Sequence, residues 1–163
     1  MENSSQPSKP QRLLRALPAS LVWITLLVAL IGFADAAYLT IEHYKNVIPP
    51  CNVGGCETVL TSAYSVVLGV PQALLGAIYY LVILIGLFAY IESKNKKILN
   101  LTLWVPVIGF IYELWMVYLQ LFVIHSICEY CMLSAAVTLV LFGISVYALS
   151  RRESSARVPN TIQ

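Results

Sequence analysis

Charge is scarce in this sequence. Only 11% of its 163 residues are Asp, Glu, Lys or Arg, while 59% are apolar. A soluble domain carries roughly 25% charged residues. The deficit excludes an ordinary water-exposed surface, because the apolar runs are longer than a core of this size can bury. No basic patch interleaved with aromatics is present, which argues against nucleic-acid binding. No internal repeat is visible. The N-terminus has basic residues (Lys9, Arg12, Arg15) and then an apolar run, as a secretory leader does. No small-residue cleavage site closes that run, and residues 17–41 are too long for a leader's apolar core, so a retained membrane helix is expected.

Four segments can cross a bilayer, which takes about 20 apolar residues at 1.5 Å rise each. They are residues 17–41, 72–91, 101–124 and 129–149. Each must be helical, because lipid leaves open backbone groups unsatisfied. The fold class expected is an all-α four-helix membrane bundle over residues 17–150, flanked by polar tails at 1–16 and 151–163. Two connections are short, ESKNKKI at 92–98 and HSIC at 125–128. The long one, residues 42–71, contains Pro49-Pro50 and Gly54-Gly55 as breakers. Within it, 57–67 has helical composition and is too short to span, so a surface half-helix is expected there.

Orientation follows from the basic residues. Lys9, Arg12, Arg15, Lys94, Lys96, Lys97, Arg151, Arg152 and Arg157 fall on one face when the chain crosses four times, and only Lys45 falls on the other. Both termini are therefore expected in the cytoplasm of a plasma or inner membrane. The long loop and the HSIC turn are expected on the outer face.

All four cysteines lie toward that outer face, where a bacterial cell is oxidising and disulfides persist. Cys128-Glu-Tyr-Cys131 is a CxxC at the head of the last helix. The helix N-terminus carries partial positive charge and unpaired N–H groups, which stabilise a thiolate and should lower the pKa of Cys128. The thiolate is the species that attacks disulfides. Cys51 and Cys56 form a second pair on a glycine-containing loop. A mobile pair beside a fixed pair is what an electron relay needs. Other readings stay open at this point: two structural disulfides on a membrane scaffold, a four-thiolate zinc site, or incidental cysteines.

The stretch CETVLTSAYSVVLGVP, then Gly76 with Tyr79, and CEYC followed by Ser134-Ala135, resembles the vitamin K epoxide reductase family. The most specific parts are Cys56-x-x-Val59-Leu60-x-Ser62, Gly69-x-Pro71, Gly76 and the CxxC. The likeness spans about residues 17–150 and is to bacterial members that reoxidise a periplasmic thioredoxin-like protein. It implies a four-helix bundle around a membrane quinone, such as menaquinone or ubiquinone, with the CxxC beside the ring. By position, Cys131 would reduce the quinone, Cys128 would exchange with Cys56, and Cys51 would engage the partner protein. Ser62 matches the family's serine after the second loop cysteine, and Gln72 falls where animal enzymes carry a substrate-contacting Asn. Ala135 falls where those enzymes carry Tyr, which argues against epoxide reduction and animal-type inhibitor sensitivity. The loop cysteines are also closer together than the family's usual spacing. Some members carry a fused thioredoxin domain; here the partner is expected to act in trans.

The expected activity is thus quinone-dependent thiol oxidation. The rival enzyme reading is reduction of a quinone or quinone epoxide for its own sake, and the rival non-enzyme reading is the stapled scaffold. Asp35 and Glu113 lie inside spanning segments, where a carboxyl suggests function. They offer a proton route to the quinone, or a hydrogen bond between helices. His125, three residues before the CxxC, is a candidate for proton transfer or equally a surface histidine beside the membrane edge; His43 reads as loop. The three tryptophans and ten tyrosines read as packing and interface anchors.

Overall fold

A computed structural model of the chain describes residues 18–52 and 54–156. The expected tail at 1–16 with Lys9, Arg12 and Arg15, and Arg157 in the other tail, lie outside the described residues.

The elements run α1 (Ala19–Lys45), α2 (Cys56–Leu60), β1 (Val66–Val67), β2 (Val70–Pro71), α3 (Gln72–Ser93), α4 (Lys96–Tyr118), a π-helical turn (Leu119–Val123) and α5 (Glu129–Ala156). Among the described residues, four stretches are long and apolar enough to cross a membrane: Ser20–Lys45, Gln72–Ser93, Lys96–Val123 and Glu129–Arg151. The fold is the all-α membrane bundle that the composition demands. Side chains such as Trp23, Leu27, Ile85, Phe88 and Leu139 point outward, where acyl chains cover them.

In the bundle, α1 packs on α3 and α5, and α4 packs on the same two helices. The α1–α3 seam is built on small residues, as close packing in lipid requires. Ala29, Ala36 and Ala77 are buried there with Tyr80, Ile83 and Leu87. A methyl added at Gly32 would run into the Tyr80 ring. A second cluster at the opposite end joins Val22, Tyr90, Leu99, Leu103 and Ala148. Helix succession puts Lys94, Lys96, Lys97 and Arg151 at that same end, and all four cysteines at the other.

Several boundaries differ from the sequence expectation. Helix α1 continues four residues past Ile41 to Lys45, closed by Asn46 in the left-handed conformation with φ 55°. His43 and Lys45 in its last turn suit the negative end of the helix dipole. The charged loop at 92–98 shrinks to Lys94 and Asn95. Lys94 adopts φ 52°, and the Asn95 side chain accepts the N–H of Lys97 at 2.9 Å as an N-cap. Helix α5 runs to Ala156, past residue 150 and into the expected tail.

The half-helix expected over 57–67 is corrected to the five-residue α2, followed by a hairpin. Two serines stop it: the Ser62 hydroxyl donates to the Val59 carbonyl at 2.7 Å and that of Ser65 to the Ser62 carbonyl at 2.8 Å, competing with helical continuation. Leu68 and Gly69 then take φ 52° and 81°, as a two-residue hairpin turn requires. Val66 pairs with Pro71 and Val67 with Val70.

Candidate active site

Helix α5 begins on a cysteine. The carbonyl of Cys128 accepts the N–H of Met132 at 3.0 Å. Its sulfur accepts the N–H of Cys131 at 3.5 Å. Cys128 thus occupies the N-cap position, its Sγ in the place a serine oxygen usually takes. Its thiol is lowered to about 7. The Cys131 thiol donating to the Cys128 sulfur is the main cause, and the backbone N–H groups of Cys131 and Tyr130 add to it, against burial, which works the other way. The sequence expectation of a lowered Cys128 pKa rested on the helix end alone; the neighbouring thiol does more.

The turn before α5 is held from behind. At the end of α4 the helix widens into the π-helical turn, a feature frequent at functional sites. Gln120 there is 3% exposed, and its Oε1 accepts the Cys128 N–H at 3.0 Å. Its own carbonyl accepts the Ser126 N–H at 3.1 Å.

Cys51 and Cys56 are joined in a disulfide, while Cys128 and Cys131 are free. Cys56 and Cys128 are both fully buried and share one packed cluster with Val59, surrounded by Cys51, Leu60, Ile124, Tyr130 and Cys131. The loop pair and the CxxC therefore meet. With Cys51 and Cys56 bonded to each other, the four thiolates of a zinc site are not available in this state.

The loop is bound to the head of α5 by the two residues between the cysteines of the CxxC. The Glu129 carboxylate accepts the backbone N–H of Asn52, with both oxygens at 3.3 Å, and its Nδ2 at 3.4 Å. The Tyr130 hydroxyl donates to the Pro50 carbonyl at 2.9 Å. Tyr130 also packs on Tyr38 of α1, ring centroids 5.8 Å apart.

Beneath the cysteines the helices line a cavity of about 470 Å³. Its walls are mostly apolar, with Leu39, Val59, Leu75, Val105 and Ile108, and Cys131 lies on the wall. Polar groups are few: Asp35, Ser62, Gln72, Tyr112, Glu113 and Ser134 among them. The Tyr112 hydroxyl donates to Gln72 Oε1, and Gln72 Nε2 donates to the Tyr64 carbonyl at 3.3 Å. Asp35 is 8% exposed, and its Oδ2 has no hydrogen-bond partner among the described residues. Such a space suits a flat apolar ring with polar atoms at its edge.

The structure thus gathers Asp35, Ser62, Gln72, Glu113 and Cys131 around one cavity. His125 is not among the lining residues; it is exposed, in a left-handed turn with φ 54°. His43, read as loop, is on the wall because α1 reaches Lys45. Ala135 is not a lining residue, whereas Ser134 and Thr138 are. Gln120, Glu129 and Tyr130 went unread. A polar residue inside the apolar run 101–124 was the available signal for Gln120; nothing in the sequence pointed to the other two.

Residues 23–146 match the sequence profile of the Vitamin K epoxide reductase family. No curated protein matches the chain.

Proposed function

The chain belongs to the vitamin K epoxide reductase family, whose chemistry is quinone-linked thiol–disulfide exchange, and we propose that it oxidises a thioredoxin-like protein outside the cytoplasm. Electrons pass through Cys51–Cys56, then Cys128–Cys131, to a membrane quinone. The observation that carries this reading is the shared buried cluster of Cys56 and Cys128, with Cys131 opening onto the cavity. The orientation with both termini in the cytoplasm is part of the proposal. It rests on the charge bias and on the cysteines lying at the end of the bundle away from Lys94, Lys96, Lys97 and Arg151.

The partner's dithiol attacks the Cys51–Cys56 disulfide through a mixed disulfide on Cys51, and leaves as a disulfide. Two thiols remain on the loop. The Cys56 thiolate attacks Cys128 of a Cys128–Cys131 disulfide, forming a Cys56–Cys128 bond and releasing Cys131. Cys51 then attacks Cys56 and releases Cys128. A low-pKa thiol leaves faster, so the lowered Cys128 favours this last step. The pattern present, loop oxidised and CxxC reduced, corresponds to the stage after internal exchange.

The residues around the cavity fit a quinone. Leu39, Leu75 and Val105 would hold the ring faces, and Ser62, Gln72 and Tyr112 its polar edge. Asp35 lines that space, and its Oδ2 is buried with no hydrogen-bond partner among the described residues. When bound, a quinone supplies the electron sink, taking two electrons and two protons as the Cys128–Cys131 dithiol closes to a disulfide. Cys131 lies on the cavity wall, and the Asp35 carboxyl on the same wall is the candidate proton carrier.

The test is a set of single Cys→Ala variants in membranes, supplied with a reduced thioredoxin-like donor and assayed for quinone reduction beside thiol-trapping gels. Cys131→Ala should abolish quinone reduction and accumulate a Cys56–Cys128 bridge. Intact turnover in that variant, with bridges that never exchange, would show that the cysteines are structural.

A further inference from the structure

The two residues that separate the cysteines of a CxxC are free to vary as far as disulfide closure is concerned. Here they grip the other cysteine pair. Glu129 takes the Asn52 N–H with both carboxylate oxygens at 3.3 Å, and Tyr130 takes the Pro50 carbonyl at 2.9 Å. These bonds fall on either side of Cys51. They are to backbone atoms, so they fix where the loop runs regardless of its side chains. Carboxyl and sulfurs are close enough that a Glu129 oxygen and the Sγ atoms of Cys51 and Cys56 lie within 4.8 Å of one another. A third contact closes the seat: a Cβ on Gly55 would come within 2.8 Å of the Ile127 carbonyl oxygen, so the loop backbone lies directly on the turn preceding Cys128.

We propose that Glu129 and Tyr130 form a latch that holds the Cys51–Cys56 loop in exchange register with Cys128. Both are positioning residues, since neither gains or loses an electron. The inference rests on the relay reading above and adds to it what makes the internal step fast. Exchange between two thiols in one chain depends on their effective concentration, which falls when the segment carrying one of them is free to wander. A loop with Gly54 and Gly55 has that freedom unless something holds it.

The experiment uses the full chain in detergent with Cys51→Ala and Cys131→Ala, leaving Cys56 and Cys128. The protein is equilibrated in glutathione buffers of graded ratio and quenched in acid. The fraction bridged then gives the effective concentration of the pair, with no need for quinone or partner. Glu129→Gln combined with Tyr130→Phe should lower it at least threefold at an unchanged melting temperature. Glu129→Asp keeps the negative charge in the first turn of α5 but is one methylene short, and should lower it as well. An effective concentration within threefold of the parent in the double variant overturns the latch while leaving the relay standing. So does a loss in Glu129→Gln that Glu129→Asp fully restores, which would assign the effect to charge at the helix end. A parent that never bridges Cys56 to Cys128 removes the relay, and the latch with it.

Discussion

Gln120 accepts the backbone N–H of Cys128 on its side-chain oxygen at 3.0 Å, with both residues out of reach of solvent. Its main-chain carbonyl takes the Ser126 N–H, so one residue ties down both ends of the turn that presents the CxxC. A π-helical turn makes this possible by re-aiming the side chain at the end of α4. Gln120→Leu leaves a buried N–H without a partner, which costs about 1–3 kcal/mol. The variant should unfold that much more easily in a denaturation series in detergent, and should exchange thiols more slowly. Gln120→Glu keeps an acceptor and should lose less stability. If the two variants were equally stable, the hydrogen bond would contribute nothing.

The pH response of Cys128 follows from its position. Its thiol ordinarily titrates at 9.0 and is lowered to about 7 in the fold. The folded state therefore binds fewer protons than the unfolded state between those two values. The resulting stabilisation is complete above the upper value, shrinks as pH falls, and is gone below the lower one. In reduced protein carrying Cys51→Ala and Cys56→Ala, ultraviolet thiolate absorbance should show one thiolate appearing near pH 7. Adding Cys131→Ala removes the main donor to the Cys128 sulfur, so that titration should move back toward the ordinary thiol value. A midpoint that stays near 7 would mean that the helix-end N–H groups suffice alone.

Gly54 and Gly55 give a matched comparison. Both have positive φ, 76° and 89°, so alanine at either strains the backbone by about 1–2 kcal/mol. Only at Gly55 would the new methyl also meet the Ile127 carbonyl; at Gly54 no described residue beyond its chain neighbours lies within 4 Å. Gly55→Ala should therefore slow Cys56–Cys128 exchange well beyond Gly54→Ala, measured by trapping the bridge over time. Equal rates would show that the loop does not need its close seat on the 126–128 turn.

The bundle was legible from the sequence because each span is a local property: about 20 apolar residues in a row can only be helical in lipid. The cysteine pairs were legible from spacing and from their place at one end of the bundle. Helix ends were less so. Lys94 and Asn95 turn in two residues through a left-handed conformation and an N-cap, where a run of charge reads as loop. The hairpin after α2 depends on Ser62 and Ser65 bonding back to the chain, against a helical composition. Glu129 was hidden for a different reason. Its partner Asn52 lies 77 residues away, and the bond goes to a backbone atom that no residue type announces. Of the two readings of His125, its exposed position outside the cavity wall fits the surface one, since closeness in sequence to the CxxC did not become closeness to the cavity.

Asp35 offers a test of proton handling apart from thiol exchange. Quinone reduction takes up two protons with two electrons, and the dithiol must release both as it closes. Asp35 lies on the same cavity wall as Cys131 and has an oxygen with no hydrogen-bond partner among the described residues. Asp35→Asn keeps the shape and removes the exchangeable proton. No hydrogen bond to Oδ2 is lost, so stability should shift by no more than about 1 kcal/mol. The Cys56–Cys128 effective concentration should not change, because Asp35 takes no part in seating the loop. Quinone reduction should slow at least tenfold. Glu113→Gln on the facing helix is the companion variant, since Glu113 lines the same space. If Asp35→Asn keeps full turnover while Glu113→Gln loses it, the proton passes through α4 rather than α1. If both keep full turnover, the thiols deliver their protons without help from either carboxyl, and an intramembrane acid at 35 is there for packing.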